Sequence, residues 1–274
     1  MGFSVTFWGV RGTVPCPLPS HMGFGGNTSC VEVQAGGQRI VIDAGTGIRM
    51  LGKRLLKDGA TEATLLMSHT HLDHICGFPF FAPAYGKGFH LRIVSGHLTG
   101  NPGIEATMAR QMERPLFPVP MRTMGSNIVF DEITAGDRFA LGEGVQVRTA
   151  LLNHPDGATG YRIEHLGKSF AYVTDTEHVP DQPDRNVLDL IDGADLVLYD
   201  STYTDEEWRN RIGWGHSTWT EGVRLARAAG VKRLVLFHHD PDHDDAAMTA
   251  IEAAAQAAFP DCFAAREGMT VTLA

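Results

Sequence analysis

Hydrophobic positions along the chain fall into short runs separated by glycine and polar turns. Residues 3–9, 28–34 and 38–43 are rich in β-branched and aromatic side chains and bounded by glycine, which predicts three strands. The turn Asp43-Ala-Gly-Thr-Gly leads into a helix near 46–57, and the apolar run Thr64-Leu-Leu-Met-Ser predicts a strand ending at His69. The proline-broken run Phe78-Pro-Phe-Phe-Ala-Pro predicts a wall or lid, and a helix is expected near 103–114, before Pro115 and Pro118. Further strands are predicted at about 127–133, 144–151, 159–165 and 168–174, then at 195–200 and 232–237. A helix near 217–229 is closed by Gly230. A last helix near 244–258 places Met248, Ile251, Ala255 and Phe259 on one face, and Pro260 stops it. Strand-rich and helical stretches thus occur twice in similar order, with no linker between them. One domain, an α/β arrangement of two facing sheets with helices outside both, buries all of these faces.

Composition narrows the class. Of 274 residues, 43% are apolar and 20% charged, values of a globular protein with a substantial core. The net charge is -9, and lysine and arginine are scattered without a basic stripe, which disfavours a nucleic-acid partner. Cys16, Cys30, Cys76 and Cys262 stand far apart with no C-x-x-C pair. That spacing argues against a zinc knuckle and for reduced core cysteines in a cytoplasmic setting. A leader peptide and a membrane span are not expected, because no apolar run is long enough.

The chemistry concentrates in His69-Thr-His71-Leu-Asp73-His74, just after an apolar strand. His69 and His71, two apart, can point the same way, and Asp73 and His74 can reach a second point nearby. Imidazole and carboxylate are the ligands that hold zinc, manganese or iron. Two ions need more ligands than this motif supplies, and His154, Asp175 and His238 each stand where a later apolar strand ends. His239 rivals His238, but neighbours on a strand face opposite ways, so only one of them should ligate. Asp43 is expected either to brace the ligand loop or to cap a helix.

His-x-His-x-Asp-His, followed by a lone His, a lone Asp and a final His, resembles the metallo-β-lactamase superfamily over nearly the whole chain. The segment Gly26-Asn-Thr-Ser-Cys-Val-Glu-Val and the turn after Ile42 add to the likeness. The resemblance implies a four-layer αβ/βα sandwich. It implies one metal held by His69, His71 and His154, another held by Asp73, His74 and His238, and Asp175 bridging them. Two divalent ions are implied, zinc first, with manganese or iron as alternatives.

Gly215-His216-Ser217-Thr218 and Leu198-Tyr-Asp200-Ser-Thr-Tyr resemble the ribonuclease Z and phosphodiesterase branch. There an acid orients a histidine that protonates the leaving oxygen, which implies Asp200 and His216 as catalytic residues beside Asp73. The acid here is Asp, where tRNA-processing members more usually have Glu. Those members also carry a long arm between the lone His and the bridging Asp, whereas 20 residues separate His154 from Asp175. A small phosphodiester, such as a cyclic nucleotide or cyclic phosphate, is therefore the expected substrate, under a lid at 97–124. The alternatives are a tRNA 3′ endonuclease, a lactone or thioester hydrolase, and a nucleotide sensor. Arg11, Tyr161 and Arg162 are candidates for auxiliary phosphate contacts, against the alternative that arginine beside a glycine turn is simply solvated. A homodimer is compatible with the resemblance.

Overall fold

The computed structural model describes residues 2–98 and 102–274. Its first sheet contains β1 (Phe3–Gly9), β2 (Cys30–Ala35), β3 (Gln38–Ile42), β4 (Glu62–Met67), β5 (His90–Ser95) and β6 (Asn127–Glu132). The second contains β7 (Arg138–Ala140), β8 (Gln146–Leu152), β9 (Ala158–His165), β10 (Lys168–Val173), β11 (Leu196–Asp200), β12 (Leu234–Phe237) and β13 (Cys262–Ala264). The last strand, β14 (Thr270–Thr272), returns to the first sheet. Strand orders are β14-β1-β2-β3-β4-β5-β6 and β13-β12-β11-β10-β9-β8-β7.

Alternation explains how the sheets meet. In β1 every second side chain, Phe3, Val5 and Phe7, is fully buried. These pack with Tyr161, Ile163, Phe170, Tyr172, Val235 and Phe237 of the second sheet in one shared inner core. The parallel strands β4 and β12 are apolar on both faces, as strands covered on both sides must be. The outer face of the first sheet is covered by α1 (Ile48–Lys57) and, beyond the ligand-loop turn α2 (Leu72–Ile75), by α3 (Ile104–Arg110). On the second sheet, α4 (Arg185–Ile191) lies outside; the short α5 (Asp205–Trp208) follows, then α6 (Trp219–Ala228) and α7 (Asp245–Ala258) complete the cover. The result is the four-layer αβ/βα sandwich expected from the resemblance. None of the described helices is long and apolar enough to cross a membrane.

Several expectations hold in detail. Met248, Ile251 and Ala255 are buried under α7 with Phe259 packed beside them, and Gly230 takes φ +62 after α6. The described cysteines are all free. Other elements were not anticipated. In β5 a charged residue, Arg92, interrupts the apolar run, and β13 and β14 have three residues each, too few to show a period. The helix α4 starts at an Asp184 cap that accepts from the Val187 N–H.

The 97–124 segment, whose residues 99–101 lie outside the described ones, is anchored on the first sheet. Ile104, Met108, Met112 and Met124 are buried in the outer core of the first sheet, as are Phe78 and Phe81 of the proline-broken run. Their apolar spacing serves packing against that sheet.

Candidate metal centre

The strands of both sheets stop at one rim, and the candidate ligands stand just past the stops. Ser68 and His69 follow β4, His154 follows β8, Asp175 follows β10, Asp200 closes β11 and His238 follows β12. His71 precedes α2, and that turn carries Asp73 and His74. Buried strands hold each stop rigidly, which suits a site that needs fixed side chains. Three of the rim positions, Asp43, Asp175 and His238, take φ of 62, 57 and 62, a left-handed conformation uncommon outside glycine.

The side chains converge into two groups. Donor atoms of His69, His71 and His154 lie within 4.8 Å of one another, and so do those of Asp73, His74 and His238. Asp175 stands between the groups with its two oxygens divided. Its Oδ2 is 3.5 Å from His69 Nε2 and 3.7 Å from His154 Nε2; its Oδ1 is 3.2 Å from His74 Nε2 and 3.4 Å from His238 Nε2.

Four of the five ligand histidines have a partner on the outward nitrogen. The Nδ1 of His74 is 2.8 Å from Asp43, and that of His154 donates to the Gly215 carbonyl at 2.8 Å. The Thr202 hydroxyl donates to Asp200 and accepts from His238 Nδ1–H. Ser68 Oγ lies 3.1 Å from His69 Nδ1. Such contacts fix the tautomer and direct the other nitrogen inward. Asp43 also accepts from the Ser68 N–H and the Tyr172 hydroxyl, so it braces the ligand loop; the N-cap of α1 is Gly47 instead.

The donor set fits a divalent ion. His69 Nε2 is buried with no hydrogen-bond partner among the described residues. His71 Nδ1 faces His154 Nε2 at 3.0 Å, and His74 Nε2 faces His238 Nε2 at 3.4 Å. Paired lone-pair nitrogens with no acceptor between them call for a cation. Charge is arranged accordingly. Burial pushes His69 well below its ordinary value, which favours the neutral ligand form. Burial opposes ionisation of Asp73 and Asp175, but the facing imidazoles override it and hold both carboxyls ionised.

Beside this centre lies His216. Its ring stacks on His238 at 4.8 Å and stands 5.4 Å from that of His154. Its Nδ1 is 3.0 Å from Asp200, a fully buried carboxylate that also accepts from the Thr176 and Thr202 N–H groups. Burial lowers the His216 imidazole, but the Asp200 carboxylate overrides it and raises it to about 9.

His239, the rival to His238, turns away from the centre, its Nε2 donating to the Ala265 carbonyl, and burial pushes it down to about 3. Three expectations need correction. Arg11 is fully buried and donates to the carbonyls of Gly25, Asp240 and His243, so it clamps loops and offers nothing to phosphate. The Tyr161 hydroxyl donates to the Met67 carbonyl inside the inner core. Arg162, on the other face of β9, donates to the Leu190 and Asp192 carbonyls at α4. Conversely, Ser68, Tyr172, Thr202 and the Gly215 carbonyl orient the site and were not anticipated. Ser68 adjoins the motif and Thr202 lies two residues past Asp200, but Tyr172 and Gly215 carry no local signal.

A family model for the beta-lactamase superfamily domain matches residues 38–239. The chain belongs to the metallo-β-lactamase superfamily. Among curated proteins, Ribonuclease Z of Porphyromonas gingivalis is 24% identical, over 85% of this chain and 89% of that one. Ribonuclease Z of Bradyrhizobium sp. is 27% identical, over 86% and 89%. Among solved structures, the metallo-beta-lactamase fold protein YhfI from Bacillus subtilis superposes with a TM-score of 0.74 at 18% identity, over 99% of both chains. In this superfamily member the bracing of the ligand loop has a measurable consequence. Asp43→Asn should weaken divalent-ion binding by about 10–100-fold, read by titrating metal-free protein with zinc against a chelator. An unchanged affinity would show that His74 is aimed without Asp43.

Proposed function

We propose that the protein is a dinuclear metal-dependent hydrolase of phosphodiesters. The observation that carries this reading is the division of the Asp175 oxygens between two histidine groups, with the Asp200–His216 pair alongside. His69, His71 and His154 would hold one ion, Asp73, His74 and His238 the other, and Asp175 both. Zinc is the ion we assign, because nitrogen ligands outnumber oxygen ligands. Bound there, the ions would supply Lewis acidity that activates water and offsets charge on the phosphoryl oxygens.

The chain's own residues do the rest. Asp200 holds His216 through Nδ1, which leaves Nε2 to donate a proton to the departing alkoxide. Asp43, Thr202 and the Gly215 carbonyl keep the ligand rings in place as charge moves.

For the substrate, the curated relatives named Ribonuclease Z support an RNA phosphodiester better than the small cyclic one expected from the sequence. One observation keeps the small-substrate reading open. β9 and β10 pair directly from His165 to Lys168 through a tight turn, and no arm extends there. The test is a hydrolysis screen of zinc-loaded protein. It sets a tRNA precursor with a 3′ extension and 2′,3′-cyclic nucleotides against a lactone and a thioester. Cleavage of the precursor is the expected result; activity confined to the carbonyl substrates overturns the phosphodiesterase reading.

A further inference from the structure

We infer that residues 209–214, directly before His216, form a binding strip for the nucleotide beside the scissile phosphate, with Trp214 as the surface on which its base stacks. The inference rests on the phosphodiesterase reading and names which part of the substrate is recognised.

Trp214 is 61% exposed, while Tyr203 and Trp208 are buried and Trp219 packs against the outer core of the second sheet. Its indole makes no hydrogen bond and pairs with no aromatic ring among the described residues. Yet the backbone that presents it is held rigidly. The N–H groups of Gly213 and Gly215 both donate to the Glu177 carboxylate, at 2.8 and 2.7 Å, and the Trp214 N–H donates to the Arg211 carbonyl at 3.1 Å. The next carbonyl, that of Gly215, is the one that aims His154. Gly215 has φ +85, and a Cβ there would lie 2.3 Å from His154 Nδ1, so the loop is pressed against the centre. Trp214 stands two residues from His216, hence within about 8 Å along the backbone.

The charge of the strip fits as well. Neither Arg209 nor Arg211 is paired with a carboxylate among the described residues. The Arg211 guanidinium lies over the Tyr203 ring at 4.9 Å, and that ring stands edge-on to His216 at 6.0 Å. An exposed aromatic face flanked by Arg209 and by Arg211, which also donates to the Glu207 carbonyl, is the chemistry that takes a base and its neighbouring phosphate.

The experiment compares thymidine 5′-(p-nitrophenyl phosphate) with methyl p-nitrophenyl phosphate, which share a leaving group and differ in the nucleoside. Zinc-loaded wild type should prefer the thymidine ester. Trp214→Ala should lower that preference by about tenfold, mainly through KM, and Trp214→Phe should keep most of it. No wild-type preference, or an undiminished preference in Trp214→Ala, overturns the inference. A change in oligomeric state with the preference intact assigns the strip to self-association and overturns it too. If wild type cleaves neither ester, the phosphodiesterase reading fails. Calorimetric titration with uridine monophosphate then decides this one: weaker binding to Trp214→Ala supports it, and equal or absent binding sinks it.

Discussion

Replacing His216 with Ala should lower kcat for phosphodiester hydrolysis by about 10²–10⁴-fold while the zinc content stays that of the wild type. The imidazole is committed to Asp200 through Nδ1, and its Nε2 has no partner among the described residues. Its side chain is 12% exposed, enough to meet a ligand. Truncation removes that donor, and with it a ring stacked on His238, while the ligand atoms of Asp175, His154 and His238 all remain. The loss should depend on the leaving group. An alkoxide needs the proton and should show the full effect, whereas p-nitrophenolate departs unaided and should show little. Parallel rate measurements on the two kinds of ester, with elemental analysis for zinc, provide the check. Equal losses on both would mean that His216 acts by shaping the centre, and the general-acid assignment would fail.

Asp175→Asn should have the larger effect on the centre itself. An amide offers one oxygen and no charge, so it cannot serve both histidine groups as the carboxylate does. Zinc content should fall from two ions per chain to one or fewer, and turnover should fall to that of chelated wild type. Asp200→Asn separates the two functions, because Asp200 reaches His216 and the Thr202 hydroxyl rather than the ligand nitrogens directly. That variant should keep its zinc and lose rate. If Asp175→Asn retains two ions and normal turnover, the bridging assignment is wrong.

How much of this was legible in the residue order follows from how each feature is encoded. The His69–His74 motif is contiguous, so its chemistry can be read directly. His154, Asp175 and His238 were legible because an apolar strand announces its own end, and strand parity separated His238 from His239. Arg11, Tyr161 and Arg162 misled for one shared reason. Each is committed to backbone carbonyls, most of them remote in sequence, and a side chain's claim on a carbonyl leaves no trace in residue type. The 97–124 segment was hard to read because proline and phenylalanine mark a lid and a packed outer wall equally well. The bracing by Tyr172 was invisible because it spans the inner core from the opposite sheet. Substrate class depends on the surface around the centre more than on its ligands, which is why the small-substrate expectation lost ground while the fold stands.

The left-handed backbone at His238 carries a trade-off between strain and packing. A branched aromatic side chain at φ +62 costs on the order of 1–3 kcal/mol, which the surrounding contacts must sustain. Glycine would relieve that tension but leave a cavity where a fully buried ring now packs, so the strain persists because the ring's contacts outweigh it. The same change deletes a ligand nitrogen, so packing and chemistry together keep a histidine where the backbone alone favours glycine.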